Sequence, residues 1–311
     1  MEKQTVYITG ASGLVGRYLV TELLNKADFD VVAVSSYPQT VQERHGESPR
    51  FNSIGYPDFL GGEYKKTASG GGILVHCAFT RKNDPVEVKR SIDLAKSVFD
   101  LSKKQGFDGV LNISSRSIYK EPEAGELNTE ESELNLSGLI TIGKYTVELL
   151  AESILGGADI PYSSLRLASV NELKTDNNMV RPLNVFVDNM IARRPIRVVG
   201  GMQVMSFIAP QDVASAIRAL LELKPAAWKH KYNVGTGWMC TDTLLNMAKL
   251  VVERGKLFGI KPVDINVEEK EVNQRAGLDI SQIKADTGWK PVVSLTDMID
   301  GLYKMKLETK E

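Results

Sequence analysis

Short runs of branched apolar residues alternate along this chain with longer stretches whose apolar positions recur every three or four residues. That alternation predicts strand–helix units in series. Thr5–Thr9 (TVYIT) reads as the first strand, Leu14–Asn25 as the helix after it, and Val31–Ser35 (VVAVS) as the second strand. Residues 36–70 are rich in Gly, Pro and Ser, and a weak strand or loops are expected there. Ile73–Cys77 (ILVHC) follows the Gly70–Gly72 run as another buried strand. Asp84 then reads as a helix cap, with Pro85 at the first helical position and Glu87 placed to complete a capping box. This helix runs to about Gln105 and stops at Gly106. Val110–Ser114 (VLNIS) is the next strand, Leu136–Leu155 a long helix ended by Gly156-Gly157, and Tyr162–Leu167 (YSSLRL) a return to the sheet.

Beyond that point the rhythm changes. A polar stretch at 171–178 precedes a helix near Leu183–Ala192, a strand at Ile196–Val199, a strand at Phe207–Ala209 and a helix at Asp212–Leu223. A strand at Tyr232–Val234, a helix near Thr241–Glu253 and two short helices around Trp289-Lys290-Pro291 complete the pattern.

One joint in this series carries chemistry. Thr9–Gly16 (TGASGLVG) spaces its glycines G-x-x-G-x-x-G directly after the first strand and at the opening of a helix. Gly10 permits the tight turn, Gly13 lets backbone N–H groups approach a diphosphate, and Gly16 allows helix and strand to pack closely. The helix start behind them offers partial positive charge to that anion. Glycine turns serve backbone needs in many loops, but at the first strand–helix joint of a β/α series this one points to a dinucleotide. Gly10, Ala11, Ser12, Gly13, Leu14, Val15 and Gly16 are therefore the expected cofactor turn. Strands alternating with covering helices build a parallel sheet. The expected fold class is α/β, a doubly wound parallel (Rossmann) sheet with a smaller C-terminal substrate lobe. Residues 1–168 plus 206–236 are assigned to the dinucleotide-binding domain. Residues 169–205 plus 237–311 are assigned to the smaller lobe, covering the carboxyl ends of the strands.

An acidic residue at the end of the second strand would bind ribose hydroxyls and favour NAD. Ser35-Ser36-Tyr37 stands there instead, so nothing repels an added 2′-phosphate. The cofactor is read as NAD or NADP, with the balance toward NADP. Arg17 and Arg44 are cationic candidates for that phosphate, although Arg44 reads better as a solvated surface residue.

Composition narrows the remaining choices. Lys plus Arg number 38 against 39 Asp plus Glu, so a net charge of −1 gives no field for nucleic acid or an anionic membrane. No apolar run approaches the roughly 20 residues that cross a bilayer. Met1-Glu2-Lys3-Gln4 passes directly into the first strand, leaving no room for a signal peptide, and a reducing, cytoplasmic compartment is expected. Cys77 and Cys240 make no disulfide framework, and Cys77 is expected to be a buried, inert thiol. Three scattered histidines, at 45, 76 and 230, make a metal site improbable, and no metal is expected.

Several further segments resemble the extended short-chain dehydrogenase/reductase family, also called the NAD-dependent epimerase/dehydratase family. TGASGLVG matches its TGxxGxxG, and Val75–Phe79 (VHCAF) looks like its VxHxAA segment, whose small residues line the cofactor. Asn112–Tyr119 (NISSRSIY) resembles the strand that ends in the catalytic serine, and Lys144–Leu150 (KYTVELL) matches the KYxxExL at the active-site lysine. LRLASV, FIAPQDVASAI, YNVGTG and ADTGWKP resemble later family segments, so the likeness spans nearly the whole chain. It implies Cys77, Ala78 and Phe79 beside the cofactor, where Ser35 and Ser36 are expected from their place at the end of the second strand. It implies Ser115 as the serine that hydrogen-bonds the reacting oxygen, and Lys144 as the lysine that also holds nicotinamide ribose.

The family's proton-carrying tyrosine lies four residues before that lysine, and here the position is Ile140. Isoleucine has no proton to move. Tyr145 is turned away by its place on the helix, and Tyr119, on the loop after Ser115, is the best-placed substitute. Two more departures fall where the family holds a sugar-nucleotide diphosphate: Met205 replaces an arginine and Ser169 an asparagine. Arg275 is a candidate substrate phosphate ligand, reading equally as a surface ion pair, and Asn178 a candidate for approach to a nucleobase. Met205 and Met202 read otherwise as core packing. The resemblance leaves three readings open: an epimerase, dehydratase or oxidoreductase acting on a sugar nucleotide or related carbohydrate; a cofactor-binding protein without that chemistry, structural or sensing; and a reductase of a small, non-phosphorylated carbonyl substrate. The implied partner is a small-molecule substrate of the sugar-nucleotide type. A homodimer through the helices at 85–105 and 136–155 is expected, with no nucleic acid and no membrane.

Overall fold

Strands made largely of buried apolar residues form a sheet covered on both faces, and that is what the first half of the chain builds. The computed structural model describes residues 3–26, 28–62, 71–172, 181–272 and 274–308. In chain order come β1 (Gln4–Thr9), α1 (Leu14–Leu24), β2 (Phe29–Val34), α2 (Pro38–His45), β3 (Phe51–Ile54), α3 (Tyr56–Gly61) and β4 (Ile73–His76). Then follow α4 (Pro85–Gln105), β5 (Gly109–Ser115), α5 (Leu139–Ile154), β6 (Tyr162–Leu167) and β7 (Ser169–Val170). The later part holds α6 (Pro182–Ile191), β8 (Ile196–Val199), β9 (Val204–Ile208), α7 (Pro210–Leu221), β10 (Lys231–Val234) and β11 (Thr241–Thr243). It ends in α8 (Leu244–Leu257), β12 (Ile265–Glu268), α9 (Ser281–Thr287) and α10 (Leu295–Glu308).

Seven strands form the central sheet in the order β10-β6-β5-β4-β1-β2-β3, every neighbouring pair parallel. The α/β doubly wound fold class is thus the observed one. The chain winds outward from β1 to β3, then crosses to β4 on the other side of β1, so the carboxyl ends of β1 and β4 flank the reversal where such sheets open a crevice. Alternate residues of β1 face opposite layers. Val6 and Ile8 join Leu19 of α1 and Ile217 of α7 in one core. Tyr7 joins Phe99 of α4 and Val147 of α5 in the other.

Two smaller sheets follow: β11-β9-β7, with β9 antiparallel to β11 and parallel to β7, and the parallel pair β12-β8. Leu183 and Met190 of α6, Val198, Met247 and Tyr303 form a separate apolar core there. The segment 206–236 is divided between the two parts. Its β10 completes the central sheet, while its β9 belongs to the three-stranded one. Leu278, Ile283 and Trp289, placed by sequence in the smaller lobe, pack instead into the core beneath α1 and α7. Asp212 of α7 is buried and accepts hydrogen bonds from the Val292 and Val293 amides at 3.1 and 3.0 Å, tying the C-terminal segment down.

Several expected boundaries move for local reasons. The long helix starts at Leu139 rather than Leu136 because Gly138 sits at φ +94°, where a helix cannot pass. Thr241–Thr243 pairs with β9 before α8 begins, and Thr243 caps that helix by accepting the Asn246 amide. The last helix is 14 residues long rather than short. Residues 36–62 hold α2, β3 and α3, more structure than loops and a weak strand. Asp84 caps α4 as expected, but Glu87 takes Arg90 at 3.1 Å rather than closing a box. Cys77 and Cys240 are both unpaired. No helix among the described residues is long and apolar enough to cross a membrane.

A buried ion pair stitches α5 to β6. The Arg166 guanidinium meets Glu148 through two hydrogen bonds of 3.2 and 2.7 Å, with both side chains nearly closed to solvent. Removing one partner strands the other charge in the core. Glu148→Ala is expected to cost about 3–5 kcal/mol in urea unfolding, and a loss under about 1 kcal/mol would show that solvent already screens the pair.

Candidate functional site

The carboxyl ends of β1, β4, β5 and β6 open onto a cavity of about 360 Å³. Its floor is Gly10, Gly13, Leu14, Val15 and Gly16, and its walls include Cys77, Phe79, Thr80, Ile113, Ser115, Ile140, Lys144 and Ser169. A second cavity of about 400 Å³ continues it toward β2, lined by Ser12, Ser36, Tyr37, Tyr56, Ala78 and Arg90 among others. Gly10 and Cys77 line both, so the two spaces meet over the glycine turn.

That turn is built by close approach. A Cβ on Gly16 would lie 2.4 Å from the Gly10 carbonyl oxygen, and one on Gly10 would lie 2.8 Å from the Ala78 nitrogen, with φ at +70°. Gly13 closes the turn onto the Gly10 carbonyl at 2.9 Å, and the first helical bond runs from Arg17 to Gly13 at 3.0 Å. The amides of Leu14, Val15 and Gly16 fall in the first helical turn, where no intrahelical acceptor exists. They face the cavity with the positive end of the α1 dipole behind them. The Gly10 amide is held separately, donating to the Tyr56 hydroxyl at 2.9 Å.

The expected cofactor residues divide by location. Gly10, Gly13, Leu14, Val15, Gly16, Cys77, Phe79 and Lys144 line the first cavity, and Ser12, Ser36 and Ala78 the second. Ala11 and Ser35 line neither. Ala11 is fully buried with its amide on the Val34 carbonyl, and the Ser35 hydroxyl is spent on Ser12 at 3.0 Å and on the Tyr37 amide. Arg17 lies away from the ribose end as well, ion-paired with Glu172, and Arg44 is exposed.

At the reacting end, Ser115 and Lys144 share one wall with Ile140. Ser115 caps a short 3₁₀ turn, and its hydroxyl meets that of Ser117 at 3.0 Å. Lys144 donates to the Ile113 carbonyl at 2.6 Å and stands 4.5 Å from the centre of the Phe79 ring. Loss of hydration draws its ammonium from 10.5 down to about 8. Burial likewise pushes the Cys77 thiol up to about 12, which fits an inert wall residue.

Tyr119 does not reach this cavity. It is buried, donates to Asn233 at 2.8 Å and lies beneath the Arg166 guanidinium, 4.8 Å from its ring centre. Burial pushes its phenol up to about 12, so it neither faces a ligand nor gives up a proton readily. Its sequence proximity to Ser115 misleads because the 3₁₀ turn reverses the side chain into the core. Tyr145 lines a different cavity with Glu148 and Arg166, as its place on the helix requires. Arg275 is exposed and lines neither ligand cavity, and Asn178 lies outside the described residues. Met205 packs against the smaller core, but Met202 is 74% exposed rather than packed.

Sequence reasoning missed Arg81, Arg181 and Tyr56. Arg181 directly precedes Pro182 at the first position of α6, a helix-start signal that placed the backbone but not the side chain. Nothing local marks Arg81 or Tyr56, which reach the site only through the fold.

Comparison with known proteins agrees with this geometry. The profile of the family described as "NAD dependent epimerase/dehydratase family" matches residues 6–235. UDP-glucuronic acid decarboxylase 2 of Arabidopsis thaliana is 26% identical over 308 residues, covering 93% of this chain and 65% of that protein. The chain thus spans just under two thirds of that relative's length. GDP-L-fucose synthase of Escherichia coli (strain K12) is 23% identical, covering 100% of this chain and 99% of the other. Among solved structures, UDP-glucuronic acid 4-epimerase from Bacillus cereus, in complex with UDP-glucuronic acid and NAD, superposes with a TM-score of 0.79 at 19% identity, covering 98% and 99% of the two chains. UDP-glucose 4-epimerase from Thermotoga maritima with UDP-glucose gives 0.79 at 19% identity, covering 99% and 100%. At these identities the structures establish the shared fold.

The microenvironment of Lys144 is directly measurable. Its acylation by acetic anhydride, followed by peptide mass spectrometry across pH, should rise with a midpoint of about 8. A midpoint near the ordinary 10.5 would show that the cavity hydrates the ammonium fully.

Proposed function

The chain belongs to the NAD-dependent epimerase/dehydratase family, and from that premise we propose that its cleft holds a dinucleotide and, beside it, a sugar nucleotide. The observation that carries this reading is the glycine turn. Three amides without helical acceptors open into a cavity that also presents Ser115 and Lys144. The Bacillus cereus neighbour holds NAD and UDP-glucuronic acid on the same fold, which supports both halves of the reading.

The residues suit the cofactor. Leu14, Val15 and Gly16 donate to its diphosphate, Phe79 and Cys77 supply an apolar wall, and Lys144 is placed for the nicotinamide ribose. Nicotinamide, when bound, supplies hydride acceptance and return. At the adenosine end only Ser36 of the serine pair is free, and Glu87 on that wall is engaged by Arg90. With no carboxylate at the end of β2, a 2′-phosphate is tolerated, so NADP is accepted along with NAD.

On the substrate side Ser115 orients the reacting oxygen and Lys144 holds a nearby positive charge. Neither moves a proton as the family's tyrosine does, and Ile140 presents an apolar wall at that position. General acid–base help is worth about 10²–10⁴ in rate, so turnover is slow and limited by the proton. The burial of Tyr119 also favours a second reading, in which the dinucleotide is a structural or sensing ligand and no redox turnover occurs. The same reading includes a homodimer through α4 and α5, where Ile142 and Leu149 are 48% and 47% exposed, and a reducing compartment, in keeping with two unpaired thiols.

Fluorescence titration with NADH and NADPH should saturate for both coenzymes. Conversion of UDP-glucose and UDP-glucuronic acid, followed by chromatography, should rise about 100-fold or more in Ile140→Tyr, with coenzyme affinity unchanged. Coenzyme binding with no conversion in either protein would move the assignment to the sensing role, and absent binding would remove both.

A further inference from the structure

Three guanidiniums converge beside the glycine turn, and among the described residues only one of them has a carboxylate. Arg17, in the first turn of α1, pairs with Glu172 just beyond β7. Arg81, between β4 and α4, and Arg181, at the start of α6, both line the 360 Å³ cavity. Neither has a hydrogen-bond or ion-pair partner among the described residues. The Nη1 group of Arg181 is buried and unpaired. Partial desolvation in the cavity draws both guanidiniums below their ordinary value. Arg17 adds to this at Arg81, while Arg81 and then Arg17 add to it at Arg181, so the three charges sit within each other's field.

Arginine cannot relieve such crowding by releasing a proton. Solvent relieves it for Arg81, which is exposed, but not for the enclosed nitrogen of Arg181. A buried N–H without an acceptor costs stability unless a ligand supplies one. The amino end of α1, whose partial charge is also positive, lines the same cavity. Cationic groups therefore share a space that no carboxylate among the described residues lines, and the component it calls for is an anion.

We propose that Arg81 and Arg181 form a two-armed oxyanion site, closing on a phosphate or carboxylate of the bound ligand beside the glycine turn. This rests on the reading that the cavity takes a dinucleotide and a sugar nucleotide. Arg81 extends from the central sheet, whereas Arg181 begins a helix of the smaller core. An anion between them thus bridges the two packing units across the cleft. Guanidinium forks match oxyanions through paired N–H donors, which a lysine in either place would not reproduce. The arrangement also supplies cationic donors in a chain that has Met205 where the family carries its phosphate-binding arginine.

The test is calorimetric titration of the full chain as wild type, Arg81→Gln, Arg181→Gln, the double variant, and Arg194→Gln as an exposed control. Thermal melts first establish that each variant is folded. The ligands are NADH alone, then UDP-glucose and UDP-glucuronic acid added to NAD-saturated protein. Each cavity variant should weaken at least one ligand by about tenfold or more, with reduced salt dependence, while the control stays at wild-type affinity. A loss for NADH places the cofactor diphosphate between the arms. A loss for UDP-glucuronic acid alone places the sugar carboxylate there, and an equal loss for both UDP sugars places the substrate diphosphate there. Wild-type binding that survives both substitutions within about twofold for every ligand would overturn the oxyanion site and leave the proposed function standing. A wild type that binds none of the three would remove that function, and this site with it.

Discussion

Backbone meeting backbone at van der Waals distance is the constraint from which the rest of this protein follows. Gly16 lies so close to the Gly10 carbonyl that a single methyl group cannot be inserted, and Gly10 is itself pressed against the chain leaving β4. This contact fixes where α1 starts and sets its first residues against the cavity. It also sets the floor of the cavity against which Ser115, Ile140 and Lys144 stand. Helix starts are ordinarily satisfied by a side-chain cap, and α1 has none, because Gly13 occupies that position. The unsatisfied donors are left for a ligand, and the electrostatics of the site grow outward from them.

Those electrostatics have one sign: the charged side chains that line the cavity are all cationic, Arg81, Lys144 and Arg181. The amides of α1, the hydroxyl of Ser115, the ammonium of Lys144 and the guanidiniums of Arg81 and Arg181 all favour an anion. The positions that manage protons are silent. Ile140 is hydrocarbon, and Tyr119 is committed to Asn233 beneath Arg166. On the proposed reading the site holds phosphates and carboxylates more strongly than it moves protons, a balance that suits slow turnover or ligand sensing alike.

Much of this was legible in the sequence where burial acts on both faces of an element. The strands at β1, β4, β5 and β6 read within one or two residues of their observed bounds, because a covered parallel strand is a continuous apolar run. The α2–β3–α3 stretch did not read. α2 buries only Val41 and α3 only Phe59, so neither leaves a periodic trace. The glycine turn, Ser115 and Lys144 were visible because backbone necessity and local spacing mark them. Tyr119 was misplaced, since a 3₁₀ turn of three residues sends it inward. Ser35 is expected beside the cofactor from its place at the end of the second strand, yet its hydroxyl is consumed by Ser12. Arg81 and Arg181 lie 100 residues apart in sequence, and only the fold brings them to one cavity.

Amide hydrogen exchange resolved to single residues gives the most direct check on the glycine turn as a diphosphate cradle. With saturating NADH, exchange at Leu14, Val15 and Gly16 should slow strongly, while the exposed amides of α2 stay unchanged. Unaltered exchange at those three amides, under conditions where the coenzyme is bound, would mean that the dinucleotide sits elsewhere and that the cleft has been misread.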